Sequence, residues 1–428
     1  MFTFVRLTGL WQHADFMKLW LGQTVSLFGS AVTSLALPLT AALTLQATPT
    51  QMGLLKAAEF APFLLIGLVA GVWVDRRRRR PILIATDLGR ALLLGSIPLA
   101  AVFGLLRIEY LYLAAFGAGT LSLFFTTAYM AFLPTLIKRE QLVEGNSKFV
   151  TSQSTSQILG PGLAGTLVQW LTAPVAIALD ALSFLLSALL LVLIRTPEPV
   201  LIQPDKPRFW QEVSEGVQVV LRNPLLRAIA CCVGTVRLFS SVVDSVYILY
   251  LTRSLGFEPA FVGIILATGA FGALLGALLA GRIARWFGLG PTIVGAAILW
   301  GIGYLFIPLT FGTTGVTVFL LVIAGVISGL GDTVNGITQV SLRQTLVPDR
   351  LQGRMNASFR FIVWSLVPIG AMLGGMLGET FGLRAALWVG AVGNLLAFLW
   401  VFCSPVRTLR EMPTPIEEPS TADSKSGC

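Results

Sequence analysis

Twelve long apolar runs divide this chain, and a chain built that way has few ways to fold. They cover residues 19–45, 51–74, 82–106, 110–136, 149–171 and 174–194, then 226–251, 262–283, 292–311, 315–340, 355–380 and 385–402. In lipid a segment must satisfy its own backbone hydrogen bonds, which leaves helices and closed barrels. A spanning helix takes about 20 mostly apolar residues, and runs of this length fit that requirement. The fold class expected is therefore an all-α membrane protein with twelve transmembrane helices. Charge supports it: 12% of the 428 residues are charged and 55% are apolar, against about 25% charged in soluble domains. So few polar groups cannot cover a soluble surface of this size. The first run is too long for the core of a signal peptide, and no cleavage-site pattern follows it.

The basic residues set an orientation. Of the 30 lysines and arginines, 24 fall in segments on the same side as the N-terminus, and only Arg107, Arg253 and Arg384 fall in loops on the other. Lys56, Arg90 and Arg237 lie inside runs. Basic loops stay in the cytoplasm, so both termini are expected there, in a multi-pass protein of a bacterial-type inner (plasma) membrane. The net charge of +9 is then a topological signal, and no nucleic-acid partner is expected. Four cysteines without disulfide or zinc spacing and a single histidine, His13, predict no metal site. The sequence holds no P-loop and no nucleophile triad. Neither enzymatic activity nor a cofactor is expected.

The two sets of six echo each other. Asn146-Ser147-Lys148-Phe149 and Asn356-Ala357-Ser358-Phe359 share a pattern 210 residues apart, each after a basic loop. Gly160-Pro161 with Gly165 is echoed by Pro368 with Gly370, Gly374 and Gly375. Gly71-x-x-x-Asp75-Arg76 has a counterpart in Ala277-x-x-x-Gly281-Arg282. Duplicated halves are an architecture of transporters. The domains expected are 1–194 (first six-helix half), 195–224 (cytoplasmic linker), 225–404 (second half) and 405–428 (polar cytoplasmic tail). The linker contains an amphipathic segment over 209–221, expected to lie on the membrane surface.

The stretch Gly71-Val72-Trp73-Val74-Asp75-Arg76-Arg77-Arg78-Arg79-Arg80 resembles the loop signature of the major facilitator superfamily, G-x-x-x-D-R-x-G-R-R, with Arg78 where the second glycine is usual. Leu19-Trp20-Leu21-Gly22-Gln23, Ser26-Leu27-Phe28-Gly29-Ser30 and Ala36-Leu37-Pro38 resemble the opening of its enterobactin-exporter and macrolide-efflux-like branch. Val347-Pro348 with Gly353-Arg354 resembles that branch's loop before the eleventh helix. Gly160-Pro161-Gly162-Leu163-Ala164-Gly165 is similar to the superfamily's antiporter motif, with Ala164 replacing a glycine. The resemblance implies two pseudo-symmetric six-helix bundles, the major facilitator fold. It also implies a gating role for Gly71, Asp75, Arg76, Arg79 and Arg80, with Asp87 and Arg90 beside them, and a cavity lined by the first, fourth, seventh and tenth helices.

A charge at the membrane centre costs about 2.5–3.5 kcal/mol, so each one is a functional candidate. Lys56 and Glu59 are three apart on the second run and are expected to pair on one face. Asp87 and Arg90 repeat that spacing beside the basic loop and are expected to belong to the inner gate, while Asp180 is read as structural. On the seventh run Arg237 and Asp244 share a face about 10 Å apart along the axis, too far to pair, which leaves room for an ion, water or substrate. Asp332 and Asn335 share a face of the tenth run, and Tyr129 with Phe124-Phe125 is a candidate aromatic wall on the fourth. Gly263, Gly269, Gly272 and Gly276 are read as packing between the halves. Asp75 is expected to latch onto the N-terminus of the eleventh helix near Met355, through unpaired amides and the helix dipole.

These residues predict a secondary active transporter, working as a monomer on a small-molecule substrate. The first expectation is proton-coupled efflux of an amphipathic organic molecule by alternating access, with Asp244 as the coupling carboxylate. An importer or symporter of a small solute on the same fold is the alternative. A membrane scaffold without transport is disfavoured, since it has no need of Arg237, Asp244 and Asp332.

Overall fold

The computed structural model describes residues 9–198, 209–312 and 314–409, and among them the regular elements are all helical. The first six long helices are α1 (Ala14–Leu39), α2 (Pro49–Asp75), α3 (Arg79–Val102), α4 (Ile108–Leu136), α5 (Leu142–Leu171) and α6 (Ala173–Val192). A linker helix, α7 (Phe209–Arg222), precedes α8 (Pro224–Leu249), α9 (Pro259–Phe287), α10 (Leu289–Phe306) and α11 (Gly315–Leu346). The eleventh apolar run is two helices, α12 (Asp349–Trp364) and α13 (Leu366–Thr380), and the twelfth is α14 (Leu383–Leu396) with α15 (Phe398–Phe402). Ten spans among the described residues are long and apolar enough to cross a membrane. The other two long helices are α2 and α5. The first half of α5 reads Thr151-Ser152-Gln153-Ser154-Thr155-Ser156-Gln157, which interrupts its apolar run.

Helix starts follow local chemistry. Thr48 and Gln51 form a capping box on either side of Pro49, and Asn223 caps α8 ahead of Pro224. Both arrangements occupy amides that have no partner inside the helix. The duplication also reaches the backbone. α1 and α8 each run on into a wider turn, in which Leu45 N–H donates to Thr40 at 3.2 Å and Leu255 N–H to Tyr250 at 3.0 Å. Two residues later Ala47 donates to Ala41 and Phe257 to Leu251. The offset is 210 throughout, the same as in the Asn-x-x-Phe pair.

In the first group α1 packs on α5 and α6, and α3 and α4 pack on each other, α3 also on α6 and α4 on α2. In the second, α11 packs on α9 and α10, and α8 on α13 and α14. The groups meet through α2 with α13 and α5 with α9, again at an offset of 210. A Cβ on Gly53 would overlap the Ala371 carbonyl and stand 3.0 Å from Gly375 Cα. A Cβ on Gly263 would overlap the Pro161 carbonyl and stand 3.1 Å from Gly165 Cα. Glycine is what lets these backbones touch. Thr50 N–H donates to Glu379 at 3.1 Å and, at the equivalent place, Ala260 N–H donates to Gln169 at 3.2 Å. Arg253 reaches the Ala42 carbonyl at 3.1 Å.

Further hydrogen bonds join the groups at this end, and the Lys56–Asp244 pair joins them towards mid-span. Three glycines of α9 depart from expectation. Gly269, Gly272 and Gly276 abut α11 of their own group, at Gly325, Val326 and Leu330, and only Gly263 faces the other group. The linker helix departs too. Gly216 lies against the Arg354 carbonyl, Val220 is fully buried, and Glu215 pairs with Arg354. Part of its described apolar face thus packs on α12, while Leu221 stays exposed.

Candidate functional site: a ring of charges and aromatic rings between the groups

Lys56 does not pair with Glu59. Its side chain crosses to the second group, where Nζ lies 3.1 Å from Asp244 Oδ2. A residue inside a helix has few local partners, so a long side chain at an interface takes the carboxylate facing it. Arg237 pairs with Asp332 of α11 at 3.5 Å. The guanidinium sits between two indoles, 5.4 Å from the Trp300 ring centre and 5.7 Å from Trp364. Trp364, the last residue of α12, stacks on Phe60 and Phe63 of α2 at 5.8 and 5.9 Å. Lys56 lies 5.9 Å from the Phe60 ring. The contacts close a ring: Asp244, Lys56, Phe60, Trp364, Arg237 and back along α8. The gap between Arg237 and Asp244 is spanned by side chains of α2 and α12.

All four charges keep contact with solvent, from 27% exposure at Lys56 to 43% at Asp244 and Asp332. Ion pairs this exposed contribute about 0.2–1 kcal/mol. They align the groups yet break readily, and the neighbouring rings offer an apolar and cation-binding surface. Phe60, Phe63, Trp300 and Trp364 were not singled out from the sequence. The spacing of Lys56, Phe60 and Phe63, four and seven residues apart on one helical face, was the signal available.

Two expected members lie elsewhere. Asn335 is buried and donates to the Ile293 carbonyl of α10 at 3.2 Å, while its Oδ1 accepts from the Gln339 amide. It belongs to the interior of the second group, because a three-residue step turns it from Asp332 toward α10. Tyr129 packs between Phe125 and Phe149, with ring centres 6.2 and 5.0 Å away, inside the first group. Phe124 meets Trp73 edge-on at 5.3 Å.

Asp87 and Arg90 do pair, but in the core of the first group and not at a gate. Asp87 is fully buried, Arg90 is 6% exposed, and the guanidinium lies between Phe184 and Phe125 at 4.1 and 4.3 Å. Arg90 lines a cavity of about 250 Å³ together with Glu59 of α2 and Asp180 of α6. Asp180 accepts from Ser183 at 3.0 Å, and Gly29 lets α1 approach it. Removing one member of a buried pair leaves a bare charge and costs about 3–5 kcal/mol. Arg90→Met is therefore expected to lower the melting temperature sharply in detergent, and Asp87→Leu with Arg90→Met to recover most of the loss. A melting curve unchanged by Arg90→Met would contradict this.

The loop motif is partly described. A methyl group placed on Gly71 would meet nothing within 4 Å, and Arg76 is exposed. The Arg79 and Arg80 amides donate to Glu198, the former at 3.1 Å, and the Arg80 guanidinium holds the Leu191 carbonyl at 3.0 Å. The Asp75 side chain, and with it the expected latch, lies outside the described residues. Gly160 abuts Ala31 of α1, whereas Pro161 and Gly165 face α9.

Two repeated helical groups, joined at one end and with a partly exposed ring of charges between them towards mid-span, have the architecture of a polytopic transporter. The chain belongs to the Major Facilitator Superfamily, whose profile matches residues 19–243 and 229–426. It is 26% identical over 401 residues to macrolide efflux protein A of Streptococcus pyogenes, spanning 93% of this chain and 97% of that one. It is also 26% identical to the enterobactin exporter EntS of Salmonella choleraesuis, over 94% and 95% of the two chains. Its fold matches a bacterial homologue of the iron transporter ferroportin in an inward-facing state, with TM-score 0.74 and 18% identity over 91% and 98%. The protein is a multi-pass membrane transporter and not an enzyme.

Proposed function

We propose that the protein exports an amphipathic organic molecule, of the siderophore, macrolide or drug class, in exchange for protons across a bacterial plasma membrane. Residues 1–194 and 225–404 are the rocking bodies of a functional monomer, joined by the 195–224 linker and followed by the 405–428 tail. With both termini cytoplasmic, the joined end is the outer one and the conformer is inward-open. An exporter loads its substrate in that state. The observation that carries the reading is the half-exposed Lys56–Asp244 pair between the groups, beside the Phe60, Phe63 and Trp364 rings. A stacked aromatic wall suits an amphipathic substrate, and a carboxylate that gives up Lys56 when it takes a proton links proton uptake to separation of the groups. The efflux relatives support the direction of transport.

The test is transport by the purified protein in vesicles, with a panel of dyes, macrolides and siderophores and an imposed pH gradient. Substrate movement against the proton gradient, lost when the gradient is collapsed, is the expected result. Movement indifferent to pH would remove the antiport reading, and movement together with protons would make the protein a symporter.

A further inference from the structure

Five consecutive arginines, 76–80, begin where α2 ends, and the fold uses only part of them. Arg80 binds carbonyls at the end of α6, and Glu198 occupies the Arg79 and Arg80 amides. Arg76, Arg77 and Arg78 are exposed and have no acidic partner among the described residues. Arg77 instead lies 5.0 Å from the Trp73 ring. These three line the mouth of a crevice of about 760 Å³ between α2, α3 and α4, a volume typical of ligand sites.

The depth of the crevice has the opposite character. Ile82, Ala85, Leu121 and Phe124 line it. Its hydroxyl, on Thr86, already donates to the Ile82 carbonyl at 2.8 Å. The mouth stands at the helix ends, where the bilayer surface lies, and Trp73 at its rim is 43% exposed. Tryptophan at that depth is an interfacial anchor. A soluble anion would find cations at the mouth and nothing polar to hold it further in. A molecule with an anionic head and an apolar tail satisfies both parts.

We propose that this crevice binds an anionic phospholipid of the leaflet on the terminus side, its phosphate among Arg76, Arg77 and Arg78 and an acyl chain against Ala85, Leu121 and Phe124. Basic residues beside anionic lipid contribute enough for about five-fold each in affinity, on the order of 100-fold for three. The site is separate from the ring between the groups and stands whether or not protons drive transport.

The full-length protein in neutral detergent is titrated with dioctanoyl phosphatidylglycerol, dioctanoyl phosphatidylcholine and inorganic phosphate. The signal read is the part of the tryptophan fluorescence that Trp73→Phe removes. Saturable binding of phosphatidylglycerol is expected, weakened on the order of 100-fold by joint R76Q, R77Q and R78Q. Ala85→Trp, which fills the crevice and leaves the arginines in place, is expected to weaken it at least ten-fold. Equal binding of phosphatidylcholine overturns the proposal, as does an unchanged affinity in the triple variant. Inorganic phosphate giving the same signal at the same concentration would make the site a free-anion site and overturn it too. Where the triple variant does not purify as folded protein, Ala85→Trp decides alone, and an unaltered affinity overturns the assignment.

Discussion

Asp244→Asn is expected to reduce pH-gradient-driven transport to background while the protein still inserts and folds. The size of the effect separates two roles. If Asp244 serves only to hold Lys56 at 3.1 Å, its loss costs what an exposed ion pair contributes, at most about 1 kcal/mol, or about five-fold in the balance of conformers. If it carries the coupling proton, an amide cannot replace it and coupled transport stops. Lys56→Met removes the same pair and keeps the carboxylate, so it is expected to slow transport by no more than about five-fold. The measurement is substrate-driven proton movement in proteoliposomes, followed with a pH-sensitive dye inside the vesicle. Transport by Asp244→Asn within five-fold of the parent would reduce the carboxylate to an alignment device. The coupling site would then have to be sought among Glu59 and Asp180, which line the first-group cavity, and Asp87, the partner of Arg90 in that lining.

The elements were legible where a single physical demand acts along the chain. A helix in lipid needs an apolar run, and the runs marked α1 to α6 and α8 to α11, though α5 begins seven residues before its run and α11 ends six residues after its own. The break after Trp364 was not drawn from the sequence, although its signal was there: Pro368, four residues on, has no N–H to donate to the Trp364 carbonyl. Local charge spacing proved an uneven guide. Asp87–Arg90 pairs as its three-residue step suggests, whereas Lys56, with the same step to Glu59, takes a carboxylate 188 positions away. What decided was the neighbour each side chain meets across the packing, and this follows from tertiary structure. The aromatic wall was missed for a related reason. Phe60, Phe63 and Trp364 mean little one at a time, and their stacking depends on α2 and α12 coming together. Tyr129 and Phe125 sit on α4, a helix the family resemblance puts at the cavity, but they face α5 and the core.

Gly53→Trp combined with Gly263→Trp is expected to hold apart the end at which the two groups now touch. Each glycine lies where a Cβ would already overlap a backbone carbonyl of the facing helix, Ala371 or Pro161. A carbonyl fixed within a helix cannot turn aside as a side chain can. Overpacking by a few atoms in a closed interface costs about 1–3 kcal/mol, and an indole at each of two separate crossings should add. Reversing a 99:1 preference takes about 5.5 kcal/mol, within reach of the pair though not of one small substitution. Folding should be spared, because the strain lies between the groups and vanishes once they part. Gly295→Ala within α10 is the control, since nothing lies within 4 Å of that position and alanine favours a helix by about 1 kcal/mol over glycine. Spin labels on cysteines introduced at Leu43 and Glu258 report the separation of this end. The double variant should lengthen the distance and stop transport, with Gly295→Ala leaving both unchanged. A distance identical to the parent's would mean that the interface absorbs two indoles without opening, and the glycine crossings would then be packing without a part in the cycle.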